Sequence, residues 1–210
     1  MMLLWTVALT HLVALMSPGP DFVLVVRNAL GKSRRDGYMT ALGFAAGVAV
    51  HLTWGILGLG LLMTELPWLQ TLLQYVGAGY LAYIGLKSWN AGQFQIAAST
   101  EAKRSNYMTS FREGFITNLL NVKAMLFFIS LIVNVLTPEV TVSVRISAAL
   151  LMVTLTALWF ILVSRFLTIS SIQRAFLAAQ RPIEKLLALI LWALALKLSG
   201  ILEVIARLLA

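Results

Sequence analysis

Apolar residues in this chain come in long runs, and short polar stretches separate them. The runs are about 20 residues long, the length a helix needs to cross the roughly 30 Å hydrocarbon layer of a bilayer. They fall at about 3–26, 38–63, 68–89, 114–136, 144–166 and 183–205. The pattern predicts an all-α integral membrane protein with six transmembrane helices forming one domain over residues 1–210. The first run is interrupted at residues 17–20. Polar residues 90–112 form the longest connection and divide the chain three plus three. Three crossings per half would set the halves in opposite orientations, the inverted-repeat plan common in secondary transporters.

Charge adds an orientation. The first, third and fifth connections hold Arg27, Lys32, Arg34, Arg35, Lys87, Lys103, Arg104, Arg112, Arg165, Arg174 and Arg181. The second and fourth hold only Arg145. Basic residues stay on the cytoplasmic side, so both termini are expected outside the cytoplasm. The net charge of +8 therefore does not point to nucleic acid, because its residues sit mainly in connections.

Composition agrees: 60% of residues are hydrophobic, 11% are charged, and the mean hydropathy is +0.89. A soluble domain is nearer a quarter charged. The first 16 residues lack the basic start and small-residue cleavage site of a signal peptide, so they are read as a retained helix. With no cysteine, disulfides and thiolate chemistry are excluded. Only His11 and His51 are histidines, and no cluster has metal-ligand spacing. There is no HExxH, P-loop, dinucleotide fingerprint or GxSxG. No catalytic set, metal or cofactor is expected.

The chemistry lies inside the membrane. Two prolines around a glycine, Pro18-Gly19-Pro20, should break or kink the first helix. Freed backbone groups are tolerated in a bilayer only within protein or beside a wet cavity. Amides at the new helix start could bind a carboxylate, although a packing kink capped by Ser17 or Asp21 would read the same way. Asp21 and Lys123 lie at membrane depth, one in each half. There a charge costs several kcal/mol (roughly 3) unless it is paired or hydrated, and it is usually functional. The two are expected to pair when no ligand is present. Asn118 and Asn121 place a polar patch beside Lys123; interhelical hydrogen bonding is the alternative role. His11 and His51 read equally as proton carriers or wall residues. Gly43, Gly47, Gly77 and Gly79 are read as helix-packing positions. Pro182 is read as the first residue of the sixth helix. Glu184, Lys197 and Glu203 are given no site role.

Three classes compete with transport. An intramembrane enzyme would need a nucleophile–base set or metal ligands. A channel would show a filter element or pore-lining rings. A scaffold subunit explains packing glycines but not Asp21 and Lys123 in one bundle.

The segment 14–21, ending Ser17-Pro18-Gly19-Pro20-Asp21, followed by a basic loop and the glycine-bearing stretch 41–47, resembles the LysE/RhtB amino-acid exporter family, nearest its homoserine/threonine efflux branch. Residues 77–85 and 114–124 resemble its third and fourth helices. The resemblance implies a bacterial inner-membrane exporter of small neutral amino acids such as threonine or homoserine, driven by the proton gradient. Its partners would then be amino acid, protons and lipid, with oligomeric state left open. Another amino acid or small polar metabolite is the alternative cargo. The family usually has Asn-Pro-Lys where this chain has Asn121-Val122-Lys123, so a second helix break is not expected here. The glycine-free stretch 186–196 departs from the family's sixth helix.

Overall fold

The computed structural model describes residues 2–17, 19–59, 65–90, 105–137 and 139–199. Among them are eight α-helices: α1 (Met2–Met16), α2 (Pro20–Gly31), α3 (Arg34–Trp54), α4 (Pro67–Trp89), α5 (Tyr107–Leu119), α6 (Val122–Asn134), α7 (Val142–Phe166) and α8 (Ser170–Leu198). A π-helical turn, Gly55–Leu59, continues α3. Pro18, the end of the expected second span at 60–63, most of the long connection at 91–104, and 200–205 of the sixth span with Glu203 lie outside the described residues.

Two stretches are long and apolar enough to cross a membrane as single helices, Arg34–Gly58 and Val142–Phe166. Two bent pairs qualify if each is one span: α1 with α2, bent by 62°, and α5 with α6, bent by 57°. The fold is therefore all-α and membrane-embedded, with two to four such spans among the described residues. α4 and α8 occupy the expected third and sixth positions and pack on each other.

The helix boundaries follow from local chemistry. Pro20 sits in the first turn of α2, where its missing N–H costs nothing, and Gly19 is the extended N-cap. Ser33 caps α3 by accepting from the Asp36 amide, and Asn106 caps α5 through Thr109 N. The fourth span thus begins at Tyr107 rather than Gly114, because Asn106 starts a helix in what reads as polar loop. Pro182 is also displaced: it lies inside α8, which starts twelve residues earlier at Ser170. Apolar residues there, such as Phe176 stacked on Phe22 at 5.3 Å, hold the extra turns to the bundle.

α3 is the hub, packing on α2, α5 and α7. It meets α5 at its small residues. A methyl group on Gly43 would overlap the Phe111 carbonyl, and one on Gly114 would overlap the Thr40 carbonyl. Gly47 lies against the Asn118 side chain, and Gly77 of α4 against Ser130 of α6. A methyl group on Gly79 would meet nothing within 4 Å among the described residues. α4 packs on α6 and α8, and Trp192 Nε1 donates to the Ala82 carbonyl at 3.0 Å.

At the basic end of α2, α3 and α5, a polar latch joins the helices. Asp36 is buried and accepts from Ser33, Ser105 and Ser110 at 2.6, 2.6 and 2.8 Å. Glu113 accepts from Asn28 and Lys32 at 2.8 and 3.0 Å. Every charged group in the latch has hydrogen-bond partners, which is what makes its burial tolerable.

Candidate functional site

The two helix breaks face each other. The break expected to vanish with the proline is present: α5 stops at Leu119 and α6 starts at Val122. Asn121 makes it. Its backbone is extended (φ −75°, ψ 100°) and its Oδ1 accepts from Lys123 N at 3.0 Å. This N-cap starts a new helix as effectively as a proline at the next position would.

Each break frees carbonyls, and a basic side chain from the opposite half of the chain takes one in each case. Lys123 Nζ donates to Ser17 O, just past α1, at 2.9 Å. His51 Nε2 donates to Asn118 O, near the end of α5, at 3.2 Å. A carbonyl can only accept, so His51 carries its hydrogen on Nε2.

Asp21, in the first turn of α2, is held across the gap. Its Oδ2 accepts from Asn118 Nδ2 at 2.6 Å and its Oδ1 from Asn121 Nδ2 at 3.0 Å. Asn121 Oδ1 already faces the Lys123 amide, which sets the orientation of its side-chain amide. The Asp21 carboxylate is buried, as are both asparagines. No ion pair joins Asp21 to Lys123 among the described residues, contrary to the expectation that they pair. They are near enough to attract each other, but asparagine amides hold one and a backbone carbonyl holds the other. Each keeps spare capacity. The ammonium has three hydrogens, and the carboxylate has lone pairs beyond the two in use.

Both line a small cavity of about 50 Å³ together with Ser17, Gly19, Asn118 and Asn121. Its remaining wall is largely apolar and includes Phe22, Phe127 and Phe160. Gly19 lies beside the lysine; a methyl there would be in ordinary contact with Lys123 Nζ at 3.6 Å. Of the residues singled out from sequence, Gly19, Asp21, Asn118, Asn121 and Lys123 line this one cavity. Pro20 is exposed on α2, and Pro18 lies outside the described residues. Among the described residues no group of three His, Cys, Asp or Glu side chains could hold a metal.

Glu184 was missed. It is buried at 4% exposure, hydrogen-bonds Ser88, and is close enough to Lys123 to attract it. Ser88 also meets Ser17 Oγ at 3.3 Å, so a polar chain runs from the first break to α8. A signal existed. Gln180, Glu184, Leu187, Leu191 and Ala195 are all buried at helical spacing. Starting the helix at Pro182 made Glu184 look like a helix end.

A helical membrane protein with a charged cavity between two broken helices is built as a transporter. A family model described as "LysE type translocator" matches residues 12–200. Over 179 residues, 84% of this chain and 87% of the relative, the chain is 34% identical to the threonine efflux protein of Salmonella typhimurium strain LT2. The threonine efflux protein of Escherichia coli K12 matches over the same shares at 34%. An uncharacterized membrane protein of Haemophilus influenzae is 29% identical over 203 residues, 94% of this chain and 97% of that one. No solved structure matches. The chain belongs to the LysE/RhtB family of multi-pass bacterial inner-membrane exporters of small molecules, a transporter family that is not catalytic.

Proposed function

We propose that this protein is a proton-coupled secondary exporter of small neutral amino acids, with threonine and homoserine as its substrates. The observation that carries this is the unpaired Asp21 and Lys123 in one cavity. A zwitterion supplies what both lack: its ammonium meets Asp21 and its carboxylate meets Lys123. The asparagines hold the carboxylate in place, and the apolar wall accepts a small side chain. Identity to the two threonine efflux proteins supports the choice of amino acid.

The coupling proton belongs on Glu184 rather than Asp21. Both Asp21 oxygens are already engaged by asparagine amide hydrogens. Glu184 meets the Ser88 hydroxyl, which can donate to a carboxylate or accept from a carboxylic acid. A proton taken up there from outside and released inside would drive substrate outward.

The same reading makes residues 1–210 one domain of six crossings, with both termini outside and the halves related as an inverted repeat. Packing supports it. Each half opens with a broken span, α3 packs on its counterpart α7 and α4 on α8, and α5 lies on α3 as α1 lies on α7. A fluorescent protein active only in the cytoplasm, fused at Ala210, should stay dark; bright inserted fusions would overturn the orientation. The function itself is tested by counterflow of labelled threonine and homoserine into liposomes containing the purified protein. Accumulation above protein-free liposomes is expected. None with either amino acid, from correctly inserted protein, would refute the substrate.

A further inference from the structure

His11 of α1 lines the same cavity and is 1% exposed. Its Nε2 lies 2.8 Å from Thr156 Oγ1 of α7. The hydroxyl has one hydrogen, which the Met152 carbonyl at 2.9 Å can accept. That carbonyl is also near enough to the ring to accept from it. With the hydroxyl donating to that carbonyl, the imidazole hydrogen is on Nε2 and Nδ1 is a bare acceptor. Nδ1 is buried and has no hydrogen-bond partner. An acceptor left so costs free energy unless a bound molecule donates to it.

Around the ring stand Phe127 and Phe128, with centroids 5.8 and 5.7 Å away. This end of the cavity suits an uncharged donor, since a cation there would lie among aromatic rings without a carboxylate partner. Phe127 follows Lys123 by four residues on α6, so the aromatic chamber begins about one helical turn, roughly 5–6 Å, from the lysine. A short amino-acid side chain covers that distance.

We propose that His11 Nδ1 accepts a hydrogen bond from the side-chain hydroxyl of the transported amino acid, and that this selects hydroxylated substrates over apolar ones of the same shape. Thr156 is the positioning residue, since it keeps the hydrogen on the far nitrogen. The proposal rests on the cavity being the amino-acid site. It goes further by assigning the group that reads the side chain.

The test is labelled-threonine counterflow in proteoliposomes, competed by unlabelled threonine against valine and by homoserine against norvaline. In each pair a hydroxyl replaces a methyl. Wild-type protein should prefer the hydroxylated member by about tenfold, as a buried hydrogen bond allows. His11→Phe keeps a ring and removes both nitrogens, so the preference should fall to within about twofold of unity. Thr156→Val should lower it by about threefold, which supplies the reading if His11→Phe does not insert. An unchanged preference in His11→Phe, or in Thr156→Val where that is the variant obtained, overturns the proposal while leaving the exporter reading intact. No threonine counterflow by inserted wild type would overturn both.

Discussion

The first break, between α1 and α2, carries the sequence Ser17-Pro18-Gly19-Pro20; between α5 and α6 the chain is interrupted by Leu120 and Asn121 with no proline. The bends are similar, 62° and 57°. A freed carbonyl at each is held by a basic group from the other half, Lys123 in one case and His51 in the other. The means differ. Proline stops a helix by covalent structure, whatever surrounds it. Asparagine stops one only where its side chain finds an amide to cap and its neighbours fill the gap. The first break can be read from four residues. The second depends on Asp21 reaching across to Asn118 and Asn121.

The largest effect should come from mending the first break. With Pro18 and Pro20 both changed to alanine, a continuous helix would swing Asp21 off its asparagines and take Ser17 O from Lys123. Labelled-threonine flux should fall about a hundredfold or more while the protein still inserts, in line with loss of a buried charge network worth about 3 kcal/mol or more. Normal flux would mean that the break is only a packing kink.

Asn121→Ala should cost less. It removes a cap and one of Asp21's two partners but leaves Asn118 in place, so a drop of roughly tenfold is expected, from about 1–2 kcal/mol. His51→Leu removes a hydrogen bond to the Asn118 carbonyl, which also accepts from the Asn121 amide at 3.1 Å, and the stacking of the imidazole on Phe128. A loss of about 1 kcal/mol is expected, seen as a lower thermal midpoint of the detergent-solubilised protein. An unchanged midpoint would show that the capping is dispensable.

Val122→Pro should have the smallest effect, within about twofold of wild-type flux. Val122 is the first residue of α6, where proline is favoured, and Asn121 before it already has the extended backbone that a following proline requires. Loss of transport in this variant would show that the two kinds of break are not interchangeable.

The parts legible from sequence are those whose chemistry is costly at membrane depth. Asp21, Lys123, Asn118 and Asn121 stand out there whatever the packing. Gly43 and Gly47 could be read too, because helices that approach closely need small residues. Features that depend on a neighbour could not be read. Asn121 looks like a polar side chain until its cap partner is known. Pro182 reads as a helix start, because only Phe176 against Phe22 shows that α8 began earlier. Glu184 and His11 are isolated titratable residues in the sequence. Their surroundings come from Ser88 and Thr156, far along the chain.

The central claim is that Asp21 and Lys123 bind the two ends of a zwitterion while Glu184 carries the proton. The direct measurement is labelled-threonine flux in proteoliposomes, with and without a pH gradient, for wild type, Asp21→Asn, Lys123→Met and Glu184→Gln at matched protein levels. Asp21→Asn and Lys123→Met should lose exchange and pH-driven accumulation together. Glu184→Gln should keep exchange and lose only the response to the gradient. Wild-type exchange in Asp21→Asn or Lys123→Met, or full pH-driven accumulation in Glu184→Gln, would contradict the account.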